Sequence, residues 1–142
     1  MHLLFSRRST FASAAIRAVT WSRWSHVAVV FGTEAWESRA STGVQRIDYV
    51  DAVAGLRHAD VCYVRCNDIK ARAFLMQQWG KPYDWTAPLG IFLHRDWQEP
   101  DSWFCSELAA AAALAGGTVI VNKPGNRITP EDLYTSPVVE RS

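Results

Sequence analysis

Apolar residues in this chain fall into short runs with two different periods. Val27-Ala28-Val29-Val30-Phe31, following His26, is uninterrupted and mostly β-branched, as in a strand covered on both faces. Glu34–Arg39 and Val44–Asp48 are also strand-like. Gly32-Thr33 and Ser41-Thr42-Gly43 supply the turns between them. Leu3-Leu4-Phe5 predicts a short strand, and Val61–Cys66 another. A helical period appears at Phe11, Ala15 and Ala18, predicting a helix over Phe11–Val19 that Ser9-Thr10 caps. Ile69, Phe74, Leu75 and Gln78 predict a second helix, capped by Asn67 or Asp68 and running to about Trp79, where Gly80 ends it.

The segment from Lys81 to Pro100 contains three prolines and predicts an irregular covering loop with a short helix near Leu89–Leu93. Ser102 opens a helix that is almost entirely alanine from Ala109 to Ala113 and stops at Gly116-Gly117. Thr118–Val121 predicts a short strand. Thr129 followed by Pro130 places a cap residue before a proline, so a short helix spans Pro130–Tyr134. The expected fold class is α+β: a central antiparallel sheet packed against helices. No repeat or low-complexity linker divides residues 1–142, which are expected to form a single domain.

Composition narrows the function classes. The chain has 142 residues, 49% hydrophobic and 20% charged, with a net charge of +1 and no basic block, so nucleic acid is not an expected partner. The longest uninterrupted apolar run, Leu108 to Ala115, falls well short of the roughly 18 residues a membrane-spanning helix needs. Near the N-terminus Leu3-Leu4-Phe5 precedes Arg7-Arg8, the reverse of a secretory signal, so a cytoplasmic protein is expected. The three cysteines imply no disulfide framework. Cys62 and Cys66 on one strand would stand about 13 Å apart at about 3.3 Å per residue.

The candidate chemistry rests on His26 and Cys105. With Ser102 as the cap, Cys105 is the third residue of its helix, close to unpaired backbone N–H groups and the positive end of the helix dipole. That setting favours thiolate, the reactive form. It also provides N–H groups for an oxyanion developing on an attacked carbonyl. The alternative is a buried cysteine acting as a small hydrophobe. Hairpin parity supplies a partner for His26. If Gly32-Thr33 is a two-residue turn, Phe31 pairs with Glu34, Val29 with Trp36 and Ala28 with Glu37, which places Glu37 on the His26 face. A carboxylate there orients an imidazole and supports its charged form. The alternative is a solvent-facing Glu37 paired with Arg39 or Arg46.

The order His, Glu, Cys is carried by Ser25-His26-Val27-Ala28-Val29-Val30, Glu37-Ser38, Gly43-Val44, Tyr83-Asp84 and Trp103-Phe104-Cys105-Ser106-Glu107-Leu108. With these segments the chain resembles the circularly permuted branch of the NlpC/P60 superfamily of papain-like cysteine peptidases and amidases, to which the YiiX/YaeF-like hydrolases belong. The resemblance spans about Leu3 to Tyr134. It implies a papain-like fold with the nucleophile helix near the C-terminus, a catalytic Cys105 with His26 as base and Glu37 as orienter, and no cofactor. The substrate it implies is a peptide, a peptidoglycan fragment or a lipid-like acyl compound. The expected reaction is hydrolysis of an amide through a Cys105 acyl-enzyme. Lipid acyl transfer, thioester hydrolysis and a non-catalytic binding module are the alternatives. The missing export signal suits a cytosolic hydrolase or a phage-associated protein.

Further residues stand near these. Tyr83 either donates to the oxyanion or substrate or anchors a turn. Trp103 is the tryptophan expected to touch substrate, and Ser106 is the third residue expected at the oxyanion or substrate. The chain has seven tryptophans, of which Trp85, Trp97 and Trp103 cluster around the loop and the nucleophile helix. His58, Cys62 and Cys66 recur every four residues but are too spread along a strand to share one zinc, so no metal site is expected. His94 lies in a polar loop and is the alternative base.

Overall fold

The computed structural model describes residues 1–7, 11–84 and 102–141. The expectations for Ser9-Thr10, Leu89–Leu93, Trp85, His94 and Trp97 lie outside the described residues. Six strands form: β1 His2–Arg7, β2 His26–Phe31, β3 Glu34–Arg39, β4 Gly43–Asp48, β5 His58–Val64 and β6 Val139–Arg141. They hydrogen-bond into one sheet in the order β4-β3-β2-β1-β5-β6, every pair antiparallel. The described helices are α1 Phe11–Thr20, α2 Tyr49–Val53, α3 Asp68–Gln78, α4 Cys105–Ala115 and α5 Pro130–Tyr134. The architecture is thus α+β, as the patterning predicts.

Strand β1 runs through the sheet interior because Leu3, Leu4 and Phe5 need cover on both faces. On one face Leu3, Phe5, Val27, Val29, Trp36, Cys62 and Val64 pack against Ala71 and Leu75 of α3 and Leu108, Ala109, Ala112 and Ala113 of α4. The alanine run lets α4 lie close to β2, β3 and α3. On the other face Leu4, Ala28, Val30 and Ala35 pack against Ala52 of α2. No helix among the described residues is long and apolar enough to cross a membrane.

The β2–β3 hairpin has the expected two-residue turn: Phe31 pairs with Glu34 and Val29 with Trp36, with Gly32 at φ 58°. The β3–β4 connection is a three-residue turn that ends on Gly43 at φ 68°. Asn67 caps α3, its side chain accepting from Lys70 N at 3.0 Å. Thr129 and Asp132 form a reciprocal capping box at α5, with Pro130 in the first turn.

Three expectations are corrected. Strand β5 spans His58–Val64 rather than Val61–Cys66, so Cys66 lies beyond it. Thr118–Val121 is not a strand. Thr118 instead donates from N to Ala113 O and from Oγ1 to Arg65 O. Helix α4 begins at Cys105, not Ser102, because the preceding residues are held extended. Trp103 bridges in parallel to Tyr83, its N donating to Pro82 O at 3.0 Å and its O accepting from Asp84 N at 3.1 Å. Helix α2 and strand β6 are additional elements, too short at five and three residues to show a period.

Candidate active site

Three elements converge on the candidate site: the first residue of β2, the buried half of β3 and the first turn of α4. His26 opens β2, and its ring is partly exposed, with its side chain at 23%. Glu37 on β3 faces the same way and is almost fully buried. His26 Nε2 lies 2.7 Å from Glu37 Oε2, which leaves Nδ1 to address Cys105, whose sulfur is near enough to raise the imidazole's pKa. The parity argument from Gly32-Thr33 therefore places Glu37 correctly, and the structure brings His26, Glu37 and Cys105 together.

The electrostatics follow from that contact. Burial pushes the His26 pKa down, but hydrogen bonds and charges from Cys105 and Glu37 outweigh it and raise the value to about 9. Burial pushes Glu37 up, and His26, Gln45 and Arg39 together bring it down to about 2. Both Glu37 oxygens are occupied: Oε2 by His26, Oε1 by Gln45 Nε2 at 2.9 Å and by Arg39 Nε at 2.5 Å. The Arg39 pairing considered as an alternative thus coexists with the histidine contact, whereas Arg46 pairs with Glu34. Gln45 was not anticipated. Carrying the strand parity one hairpin further, where Glu37 pairs with Gln45, would have found it.

Cys105 is the first residue of α4, not the third, and is buried at 2% exposure. At that position its backbone N–H has no intrahelical acceptor. Behind it Glu107 Oε2 accepts from Phe104 N at 3.0 Å. Burial, reinforced by the charge of Asp84, raises the Glu107 carboxyl to about 7 against the backbone hydrogen bond that opposes it. Tyr83 lies beside these groups. Burial first, and then the neighbouring Cys105, Asp84 and Glu107, raise its pKa.

A cavity of about 360 Å³ opens next to His26, lined by Leu4, Ile16, Ala28, Arg39, Ser41 and Tyr83 among others. Tyr83 therefore reaches the cavity as expected. Trp103 and Ser106 do not. The Trp103 indole turns towards α3, donating from Nε1 to Gln78 Oε1 at 3.2 Å and meeting Phe74 edge-on at 5.7 Å. Its carbonyl accepts from Ser38 Oγ at 2.7 Å, so its role is to hold the Tyr83 and Cys105 segments on β3. The fully buried Ser106 hydroxyl donates to Ile128 O at 2.5 Å and ties α4 to the segment before α5. Phe104, packed edge-on against Tyr83 at 5.8 Å, completes the wall behind the sulfur.

Cys62 and Cys66 are a different kind of thiol. Burial raises both pKa values, that of Cys62 to about 11. Both are free cysteines.

No family model matches this sequence. No curated protein matches it either. Its fold is similar to that in the crystal structure of the metalloprotein YiiX from Escherichia coli O157:H7, with a TM-score of 0.74 and 16% sequence identity over 99% of this chain and 94% of that one. At that identity the likeness establishes a shared fold.

Proposed function

We propose that this chain is a cysteine hydrolase with a circularly permuted papain-like arrangement of the NlpC/P60 type, cleaving an amide in a peptide or cell-wall-type substrate. One observation carries the reading: a single imidazole bridges a helix-tip thiol and a buried, ionised carboxylate. The order along the chain, with the histidine strand first and the cysteine helix later, is that of the permuted branch.

The chemistry follows from the contacts. His26 holds the Cys105 proton and the sulfur attacks the carbonyl carbon, placing the electron pair on oxygen. The Cys105 backbone N–H, with Tyr83 on the cavity wall, faces that oxyanion. The tetrahedral species collapses, the C–N bond breaks, and imidazolium His26 gives its proton to the leaving amine. Water then enters, His26 takes one of its protons, and the thioester is hydrolysed to free acid and thiol. Glu37 fixes the ring so that one nitrogen always faces the sulfur.

The structural neighbour is described as a metalloprotein. Among the described residues of this chain, no three His, Cys, Asp or Glu side chains are arranged to hold a metal. The Glu37 oxygens already accept from His26, Gln45 and Arg39. These residues do not fit a resident ion, and no step above is routed through one.

A second reading, acyl transfer or thioester hydrolysis with the same three residues, is favoured by the apolar side of the cavity at Leu4, Ile16, Ala28 and Ala52. Intact-mass analysis after incubation with an acyl donor separates the two, because a long-lived acyl chain on Cys105 marks the transferase. The primary test is labelling with a thiol-directed probe at neutral pH. Only Cys105 reacts, Cys105→Ala abolishes labelling, and the fold persists by circular dichroism. Equal labelling of Cys105→Ala shows that the reactive thiol lies elsewhere.

A further inference from the structure

Beyond His26 the charges alternate along β3, Glu37 and then Arg39. The Arg39 side chain is ion-paired with Glu37, its Nε 2.5 Å from Oε1. Arg39 lines the cavity beside His26 with its side chain 34% exposed. A guanidinium fixed through Nε still presents Nη1 and Nη2 as an end-on pair of nearly parallel N–H donors. That geometry suits two oxygens of one anion.

The rest of the cavity sharpens the argument. Its other ionisable groups, His26, Glu37 and Tyr83, are already engaged with each other or with Cys105. The remaining lining is serine, alanine, leucine and isoleucine. Among the described lining residues, Arg39 is the cation besides His26, and its partly exposed guanidinium borders space a ligand can occupy. It lies two residues beyond Glu37 on the same strand face, about 7 Å along the strand. Anchoring Nε to a carboxylate that is itself held by three donors also removes much of the rotamer entropy that ordering an arginine on a ligand would otherwise cost.

We propose that Arg39 is a specificity-determining residue: the substrate carries an anionic oxygen group, a carboxylate or a phosphate, which the Arg39 Nη pair binds on the β3 side of the scissile carbonyl. This deepens the hydrolase reading and rests on it for the word substrate. The binding site itself does not require turnover. The neighbouring apolar residues then receive the uncharged remainder of the molecule.

Calorimetric titration of the full-length Cys105→Ala protein tests this without catalysis. Three probes differ only at one end: acetyl-Ala-Ala with a free carboxylate, the same peptide as its C-terminal amide, and its phosphonate analogue. The anionic probes bind at least tenfold more tightly than the amide. That preference disappears in Cys105→Ala/Arg39→Gln and is partly restored by Arg39→Lys. Which anionic probe is tighter identifies carboxylate or phosphate as the natural group. Circular dichroism verifies that each variant is folded. Histidine NMR reports separately on the Glu37 contact, because a merely positioning Arg39 would move the His26 titration without altering ligand selectivity. Absence of any preference for the charged probes, or a preference that survives Arg39→Gln, overturns the inference. Failure of native Cys105 to react with a thiol probe would instead overturn the hydrolase reading and leave the anion site standing.

Discussion

Replacing Glu37 by glutamine keeps the side chain's shape and removes the charge that holds the His26 proton. His26 rises from 6.5 to about 9 in the folded protein. That difference corresponds to about 3 kcal/mol of net preference for imidazolium. Burial opposes it, so the combined effect of Cys105 and Glu37 exceeds that figure. If Glu37 supplies even half, its loss lowers the His26 midpoint by more than about one pKa unit. The ring also loses the acceptor that fixes its orientation, so hydrolysis falls by about a hundredfold or more. NMR titration of the His26 ring gives the midpoint directly: about 9 in the native protein and well below that in Glu37→Gln. If the chain hydrolyses amides as proposed, its rate profile declines above about pH 9, where the leaving amine loses its proton donor, and in the variant the decline moves to lower pH. A midpoint in Glu37→Gln within a few tenths of the native value refutes the assignment of Glu37. Because the folded value is raised, His26 stabilises the fold fully below about pH 6.5, and that contribution is lost as pH rises through about 9.

Glu107→Gln tests the same linkage at lower pH. Its folded pKa of about 7 exceeds the ordinary 4.5, so the native protein loses stability between those values as pH rises, about 3 kcal/mol in all. Urea denaturation at pH 5 and pH 8 therefore shows a smaller pH difference in the variant than in the native chain, and an unchanged difference counts against the burial argument. Gly43→Ala forces a left-handed residue to carry a Cβ that would stand 2.2 Å from Lys81 O, so it costs more than the about 1–2 kcal/mol of backbone strain alone. Gly32→Ala, with open space around it, incurs only that strain, and thermal melts rank the two. Ser38→Ala removes the hydroxyl that donates to Trp103 O and costs about 1 kcal/mol, because that carbonyl still accepts from Asp84 N. It also slows Cys105 alkylation, because the segment leading to α4 loses its tie to β3.

The central part of the sheet was legible because its signals are local. The two-residue turn at Gly32-Thr33 fixes the parity of β2 against β3, and that parity alone sends Glu37 to the His26 face. The thiol was legible as a helix-start cysteine, but its position within the helix was not. Ser102 has the composition of a cap, yet the Tyr83–Trp103 bridge pulls it into extended backbone and moves the helix start to Cys105 itself. That bridge joins residues twenty positions apart, and no periodicity reports such a contact. The same contact explains Trp103. An aromatic two residues before a nucleophile reads as a substrate contact, but its carbonyl and N–H are committed to Ser38, Asp84 and Pro82 and its ring to Gln78 and Phe74. The Ser106 hydroxyl is engaged elsewhere for a related reason. One residue further along the helix rotates a side chain by about 100°, and Ser106 donates to Ile128 O.

The shift of the helix start has a chemical consequence. At the third position Cys105 would have had two helical residues between its sulfur and the chain entering the helix. At the first position it sits directly against that chain, whose extended path is fixed by Ser38 and by the strand-like pairing with Tyr83. The sulfur is therefore placed by the sheet as much as by the helix. Strand β3 carries the orienting carboxylate at Glu37 and, in the next residue, the hydroxyl that anchors the nucleophile segment. These two residues point to opposite faces of the sheet: Glu37 towards the imidazole, Ser38 towards the chain entering α4. A shift of β3 by one residue would exchange them and separate the imidazole from both its acid and its thiol. The register Val29–Trp36, set by the turn at Gly32-Thr33, is thus the structural determinant on which the proposed catalytic geometry depends.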